Sequence, residues 1–218
     1  MACATLTINS RNYGSWSLRG WLLCRMAGLD FVEEVLPAGD PAARAELLLL
    51  SPSFLVPRLE HDGVTVWDAL AIAEYLQERF PDAGLLPDEP VARAHCRSIS
   101  AEVHGGFVNL RSALPMNMAA RHTDFPVFSG ARADIVRITA FWRDCLGKSG
   151  GPYLFGTRPT VADAMFAPIC SRFVTYDVAL DAACSAYRDA VLALPDVVEW
   201  TAQAAAEPQE LGELEAEF

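Results

Sequence analysis

The stretch Ser51-Pro52-Ser53-Phe54-Leu55-Val56-Pro57-Arg58-Leu59 runs on, through the turn His61-Asp62-Gly63, to Val66-Trp67-Asp68-Ala69-Leu70-Ala71-Ile72. A proline at the start of a strand has no N–H to give to the ladder, so Pro57 must face an open edge or a ligand. A cis bond between Val56 and Pro57 would turn the Val56 N–H and C=O toward solvent, where a short peptide could pair with them as an added strand. Asp68 then precedes the periodic run Leu70, Ile72, Ala73, Leu76 and Phe80, which stops at Pro81. Asp68 therefore reads as an N-cap. The start of that helix sets N–H groups beside a carboxylate, which suits the carboxylate and ammonium of a zwitterionic amino-acid end. Taken singly, Pro57 is an edge breaker and Asp68 a cap; in this order they specify a ligand edge.

Working outward, Ala4 to Ile8 reads as a strand, Asn9 to Gly14 as a turn-rich loop, and Ser15 to Gly28 as a helix through Leu18, Leu22, Leu23 and Met26. Phe31 to Leu36 is a second strand, Ala42 to Leu50 is helical in composition, and Val56–Glu60 with Val64–Val66 forms a hairpin. The order βαβαββα is the thioredoxin-like arrangement, in which a parallel half joins an antiparallel hairpin and a closing helix. This assigns residues 1–81 to a small α/β domain. The proline-rich segment 82–90 reads as a linker. From 91 to 218 no strand pattern occurs: segments near 90–114, 130–147, 160–179 and 182–205 read as helices, so the second domain is an all-α bundle.

The chain has 218 residues, 52% of them hydrophobic and 21% charged, enough apolar surface to fold without global disorder. A formal net charge of -11 repels phosphate backbones and acidic membrane surfaces, which argues against nucleic acid or membrane as partner. The six cysteines lie apart with no C-x-x-C pair, as reduced core thiols do, and imply neither a disulfide framework nor a metal site. The N-terminus lacks the pattern of a secretory signal, and the apolar runs fall short of the ~20 residues a spanning helix needs. A soluble cytoplasmic protein is the expectation.

Nearly the whole chain resembles the cytosolic glutathione S-transferase superfamily, of a bacterial type with a serine- or zeta-like start. The likeness is carried by Asn12-Tyr13-Gly14-Ser15-Trp16-Ser17-Leu18-Arg19-Gly20-Trp21-Leu22, by Val56-Pro57, and by Asp68-Ala69-Leu70-Ala71-Ile72 leading to Glu74-Tyr75-Leu76. Thr157-Arg158-Pro159-Thr160-Val161-Ala162-Asp163-Ala164 resembles the family's N-capping box, a folding device in which Thr160 caps a helix and Asp163 returns the bond. The resemblance implies that glutathione lies along the edge formed by Leu55, Val56 and Pro57, with its glutamyl end at Asp68 and Ala69. Its thiol would then point at the start of the first helix. Helix N–H groups and a hydroxyl there would lower a thiol pKa near 8.5 toward neutrality. Ser15, Tyr13 and Asn12 are the candidate catalytic residues, with Ser17 a further hydroxyl. The family register falls near Asn12 or Tyr13, while Ser15 is the hydroxyl best placed on the first turn.

Ala69 stands where the family commonly has serine, a lost neutral hydrogen bond of about 0.5 to 1.5 kcal/mol. Phe54-Leu55 replaces a more polar pair, so weaker glutathione affinity or an altered ligand is expected. The helical stretch from His104 through Gly105-Gly106 to Met118 is the expected second-substrate wall, with Phe107, Arg111, Met116 and Asn117 as its candidates. The function implied is conjugation of glutathione to a small hydrophobic electrophile, as in detoxification, by a homodimer using no metal. The alternatives are a non-catalytic glutathione- or peptide-binding module and a glutathione-dependent isomerase. The isomerase branch typically starts its first helix with Ser-Ser-Cys, unlike Asn12-Tyr13-Gly14.

Overall fold

A computed structural model of the chain describes residues 4–36 and 55–207. The expected helix at 42–50, and Ser51 to Phe54, lie outside the described residues. In the first half, β1 (Ala4–Ile8) alternates apolar side chains that bury Leu6 and Ile8 completely. It pairs in parallel with β2 (Val32–Val35) and antiparallel with β3 (Arg58–His61), which pairs in turn with β4 (Val64–Trp67). The strand order is β2-β1-β3-β4, a mixed four-stranded sheet. The hairpin turn falls at Asp62-Gly63, both at positive φ, where the small Asx and Gly residues tolerate the left-handed region.

Helix α1 (Ser15–Met26) and helix α2 (Ala69–Arg79) pack together on this sheet. Gly20 makes their fit to the β3 entry possible. A Cβ there would lie 2.5 Å from two ring carbons of Pro57, so any side chain would push the proline away.

The second half is helical throughout: α3 (Pro90–Gly105), α4 (Val108–Ala113), α5 (Ser129–Ser149), α6 (Val161–Thr175), α7 (Ala182–Leu192) and α8 (Pro195–Ala206). The pattern read as one helix over 90–114 is broken in the structure. Gly106 caps α3, where a Cβ would meet the Glu102 carbonyl oxygen at 2.6 Å, and Phe107 follows in the left-handed region at φ 57. The paired glycines thus end a helix rather than thin its face. The run read over 182–205 is likewise two helices, divided where Pro195 starts α8.

Helix α6 is buried along almost its whole length and packs on α1, α3 and α7. One apolar cluster runs through both halves, from Leu6, Leu22 and Ile72 to Trp142, Phe166 and Phe173. The Thr160–Asp163 pair sits inside it. Asp163 Oδ2 accepts from the Thr160 N–H at 2.7 Å and its hydroxyl at 3.0 Å, and Oδ1 accepts from the Leu154 N–H at 3.1 Å and the Tyr187 hydroxyl at 3.0 Å. Burial lifts the Asp163 carboxyl above its ordinary range against the pull of those four donors. Among the described residues no helix is long and apolar enough to cross a membrane.

Candidate functional site

The site lies where β3, α1 and α2 meet the end of α3. The Val56–Pro57 bond is cis. The Pro57 carbonyl accepts from the Asp68 N–H at 3.2 Å, which ties the proline loop to the start of α2. Val56 is half-buried, and its N–H and C=O have no hydrogen-bond partner among the described residues. Leu55 beside it is 51% exposed, and Ala69 is fully buried.

Asp68 takes φ 81 and ψ 134, a region that costs a residue with a Cβ of order 1–3 kcal/mol and persists where the surroundings enforce it. Its Oδ1 caps α2 by accepting from the Leu70 N–H at 2.8 Å and the Ala71 N–H at 3.3 Å. The helix start therefore offers fewer open N–H groups than its sequence suggests. The other oxygen, Oδ2, lies 3.0 Å from His104 Nε2 on α3. Burial pushes the Asp68 carboxyl up, but the His104 bond and charge, with the two cap N–H groups, outweigh it and hold the carboxyl below its ordinary value.

At the start of α1 the candidates separate. Ser15 is fully buried, and its Oγ has no hydrogen-bond partner among the described residues. Ser17, two positions on, is spent locally: its hydroxyl donates to Asn9 Oδ1 at 2.6 Å and accepts from the Asn9 N–H at 3.1 Å. Asn12 is buried with its amide oxygen accepting from the Ala119 N–H at 3.0 Å and its carbonyl from the Met118 N–H at 3.3 Å. Tyr13 is buried, its N–H donating to Ser10 Oγ at 3.2 Å and its carbonyl accepting from the Ser15 N–H at 3.0 Å. Gly14 joins this loop to α1 where a Cβ would come within 2.1 Å of Asn9 Oδ1 and 2.3 Å of the Ser10 carbonyl. No residue larger than glycine fits there.

Trp16 gathers the helical half onto the site. Its ring meets the His104 ring edge-on at 4.8 Å, with the Arg19 guanidinium 4.4 Å and the Arg111 guanidinium 5.4 Å from its centroid. Arg111 also donates to the His104 carbonyl at 3.1 Å. Of the second-substrate candidates, Arg111 is thus at this corner. Phe107 forms the turn between α3 and α4, Met116 is buried in the core, and Asn117 caps its own turn by accepting from the Ala120 N–H at 3.1 Å. Two cavities of about 420 and 320 Å³ open in the helical half, and none of the candidate catalytic or glutathione-edge residues lines either.

His104 is the member of the site that sequence reasoning assigned no role. It lies 36 positions from Asp68, and its Nδ1 is buried without a hydrogen-bond partner among the described residues. Its position just ahead of Gly105-Gly106, where the helix must end, is the signal that would have placed it.

The arrangement presents an unpaired main-chain edge, a capped helix start with an ionised carboxylate, and an unpartnered hydroxyl at a second helix start. Such a set can hold an extended peptide and donate a hydrogen bond to an anion. Residues 13–79 match the family model "Glutathione S-transferase, N-terminal domain" and residues 102–202 "Glutathione S-transferase, C-terminal domain". The maleylacetoacetate isomerase of Pseudomonas aeruginosa is 29% identical over 178 residues, 79% of this chain and 82% of that one. That of Rhizobium meliloti is 32% identical over 148 residues, 64% of this chain and 67% of that one. Among solved structures, a glutathione transferase homolog from Burkholderia gl BGR1 with bound glutathione superposes with a TM-score of 0.72 at 23% identity, covering 92% of this chain and 97% of the other.

Proposed function

Because the chain belongs to the glutathione S-transferase family, we propose that it binds glutathione along the Val56 edge and joins it through its sulfur to a small hydrophobic electrophile. The observation that carries this reading is the Val56 main chain beside Pro57, which has no hydrogen-bond partner among the described residues. The cysteinyl main chain would complete that edge as a short added strand. The glutamyl ammonium would meet the Asp68 carboxylate, and its carboxylate the N–H of Ala69, left open by the cap.

The thiol would then lie at the first turn of α1, where the partner-free Ser15 hydroxyl donates to the sulfur and stabilises the thiolate over the thiol. The thiol proton leaves to solvent, the sulfur lone pair forms the bond to the electrophilic carbon, and the leaving group or the adjacent π bond accepts the electron pair. Tyr13 and Asn12 hold the loop that places Ser15, and Leu55 covers the ligand edge. On this reading residues 1–81 hold glutathione, 82–90 link, and 91–218 supply the second-substrate wall, with Arg111, beside Trp16, its contributor among the four candidates. The chain acts in the cytoplasm as a homodimer without metal. Exposed Val64 and Trp67 on one half, with Val91 and Val136 on the other, offer apolar surface to a second copy.

A second reading, glutathione-dependent cis–trans isomerisation, is favoured by the isomerase names of the two relatives above. Retention on immobilised glutathione, followed by assays of aryl-halide conjugation and of maleyl double-bond isomerisation, separates the readings. Retention with conjugation supports the transferase, and retention with isomerisation alone supports the second reading. Retention without either indicates a non-catalytic binding module, and failure to bind overturns both enzymatic readings.

A further inference from the structure

The loop Ser10–Gly14, which leads into α1, is closed by a residue from the far end of the chain. Glu207, at the C-terminal end of α8, accepts on Oε1 from the Arg11 N–H at 2.7 Å. On Oε2 it accepts from the Ser10 hydroxyl at 2.7 Å and the Asn12 N–H at 3.2 Å. Ser10 Oγ uses its lone pairs on the N–H groups of Asn12 at 3.1 Å and Tyr13 at 3.2 Å, so its one proton has Glu207 as its acceptor. Trp200, on the same helix, donates from Nε1 to the Arg11 carbonyl at 2.9 Å, and the Arg11 guanidinium lies between the carboxylates of Glu207 and Glu33. Successive N–H groups curled around one carboxylate form an anion-holding nest, here occupied from within.

We infer that Glu207 is a positioning residue: by filling the nest it fixes the loop that sets Ser15 and the first turn of α1 against the ligand thiol. The inference rests on the functional reading above and adds the residue that holds its machinery in register. The two-oxygen pattern makes it specific. Each carboxylate oxygen accepts from a different set of N–H and O–H groups, whereas a glutamine offers one acceptor oxygen and turns an NH₂ toward donors. Alanine offers neither.

The test uses full-length Glu207→Gln and Glu207→Ala. Amide hydrogen exchange at Arg11 and Asn12 is expected to quicken by about tenfold or more in the alanine variant and by less in the glutamine variant, with Leu6 and Ile8 in β1 unchanged. Where glutathione binds, the bound thiol, followed by its thiolate absorbance against pH, is expected to ionise at higher pH in the same rank order. kcat for conjugation should fall about tenfold while the glutathione Kd shifts less than about twofold. Unchanged exchange at Arg11 and Asn12 overturns the inference. So does faster exchange with thiol ionisation and kcat unmoved, since the contact would then be structural alone. If wild-type protein binds no glutathione, the functional reading fails on its own, and the exchange rates still decide whether Glu207 holds the loop.

Discussion

In the helical half both carboxylate oxygens of Asp163 are fully partnered, whereas at the start of α1 and along the Val56 edge several polar groups have no hydrogen-bond partner among the described residues. Four donors converge on the two oxygens of Asp163 in a place closed to water. Ser15 Oγ and His104 Nδ1 are just as sheltered, yet among the described residues neither finds a hydrogen-bond partner, and neither does the Val56 main chain. An unmade hydrogen bond on a buried group costs about 1–3 kcal/mol. The Asp163 node lowers the energy of the chain by itself; on the proposed function, the α1 corner makes its missing bonds to the ligand. Buried polar groups in one small molecule therefore serve two ends, and their partner counts tell them apart.

Four substitutions at three positions probe this contrast. Asp163→Ala orphans four donors at once and should lower stability by about 3–5 kcal/mol, read by denaturant unfolding; Asp163→Asn, which keeps one acceptor oxygen, should lose distinctly less. Equal losses would mean that the node matters for volume and not for its bonds.

Asp68→Asn retains the cap through Oδ1 but removes the charge facing His104 Nε2. At a side chain 39% exposed, solvent screening limits the cost to about 0.5 kcal/mol near neutral pH. Because the folded carboxyl ionises below its ordinary 3.8, its charge stabilises the fold fully above that pH. The contribution is lost as pH falls through the lower folded value. Wild-type and variant unfolding curves should converge there; a gap that persists in acid would assign the effect to packing.

Ser15→Ala should not destabilise the fold, since its hydroxyl has no hydrogen bond to lose among the described residues and removing it relieves an unmade one. Conjugation should nonetheless drop at least about tenfold. A clear loss of stability would show that Ser15 belongs to the same class as Asp163.

Much of the N-terminal half could be read from the chain because its signals are local. Pro57 at a strand entry, Gly63 in the hairpin turn and Asp68 before a periodic run each act within a few residues of themselves. The break at Gly105-Gly106 was missed because apolar spacing continues across it through Val103, Phe107 and Leu110. The helix stops because Gly106 turns to extended backbone close to the Glu102 carbonyl, an approach that any Cβ would block. Among the candidates at the start of α1, sequence could name Asn12, Tyr13, Ser15 and Ser17 but not rank them. Their standing depends on Asn9 and Ala119, one near and one distant, which occupy Ser17 and Asn12. The contacts of His104 with Asp68 and of Glu207 with Ser10 join positions far apart in the chain, and no periodicity records them.

Arg19 reaches from α1 into the helical half and donates its Nε to the Met165 carbonyl at 2.9 Å, with no part of the side chain exposed to water. A cation seated in this way acts as a dowel: sliding one half across the other would draw it from its socket into apolar surroundings, which solvate a guanidinium poorly. The two halves are consequently pinned together at this point. On the proposed function, discrimination between ligands then falls to the side chains beside the ligand edge and the start of α1, Leu55, Trp16 and Arg111 foremost.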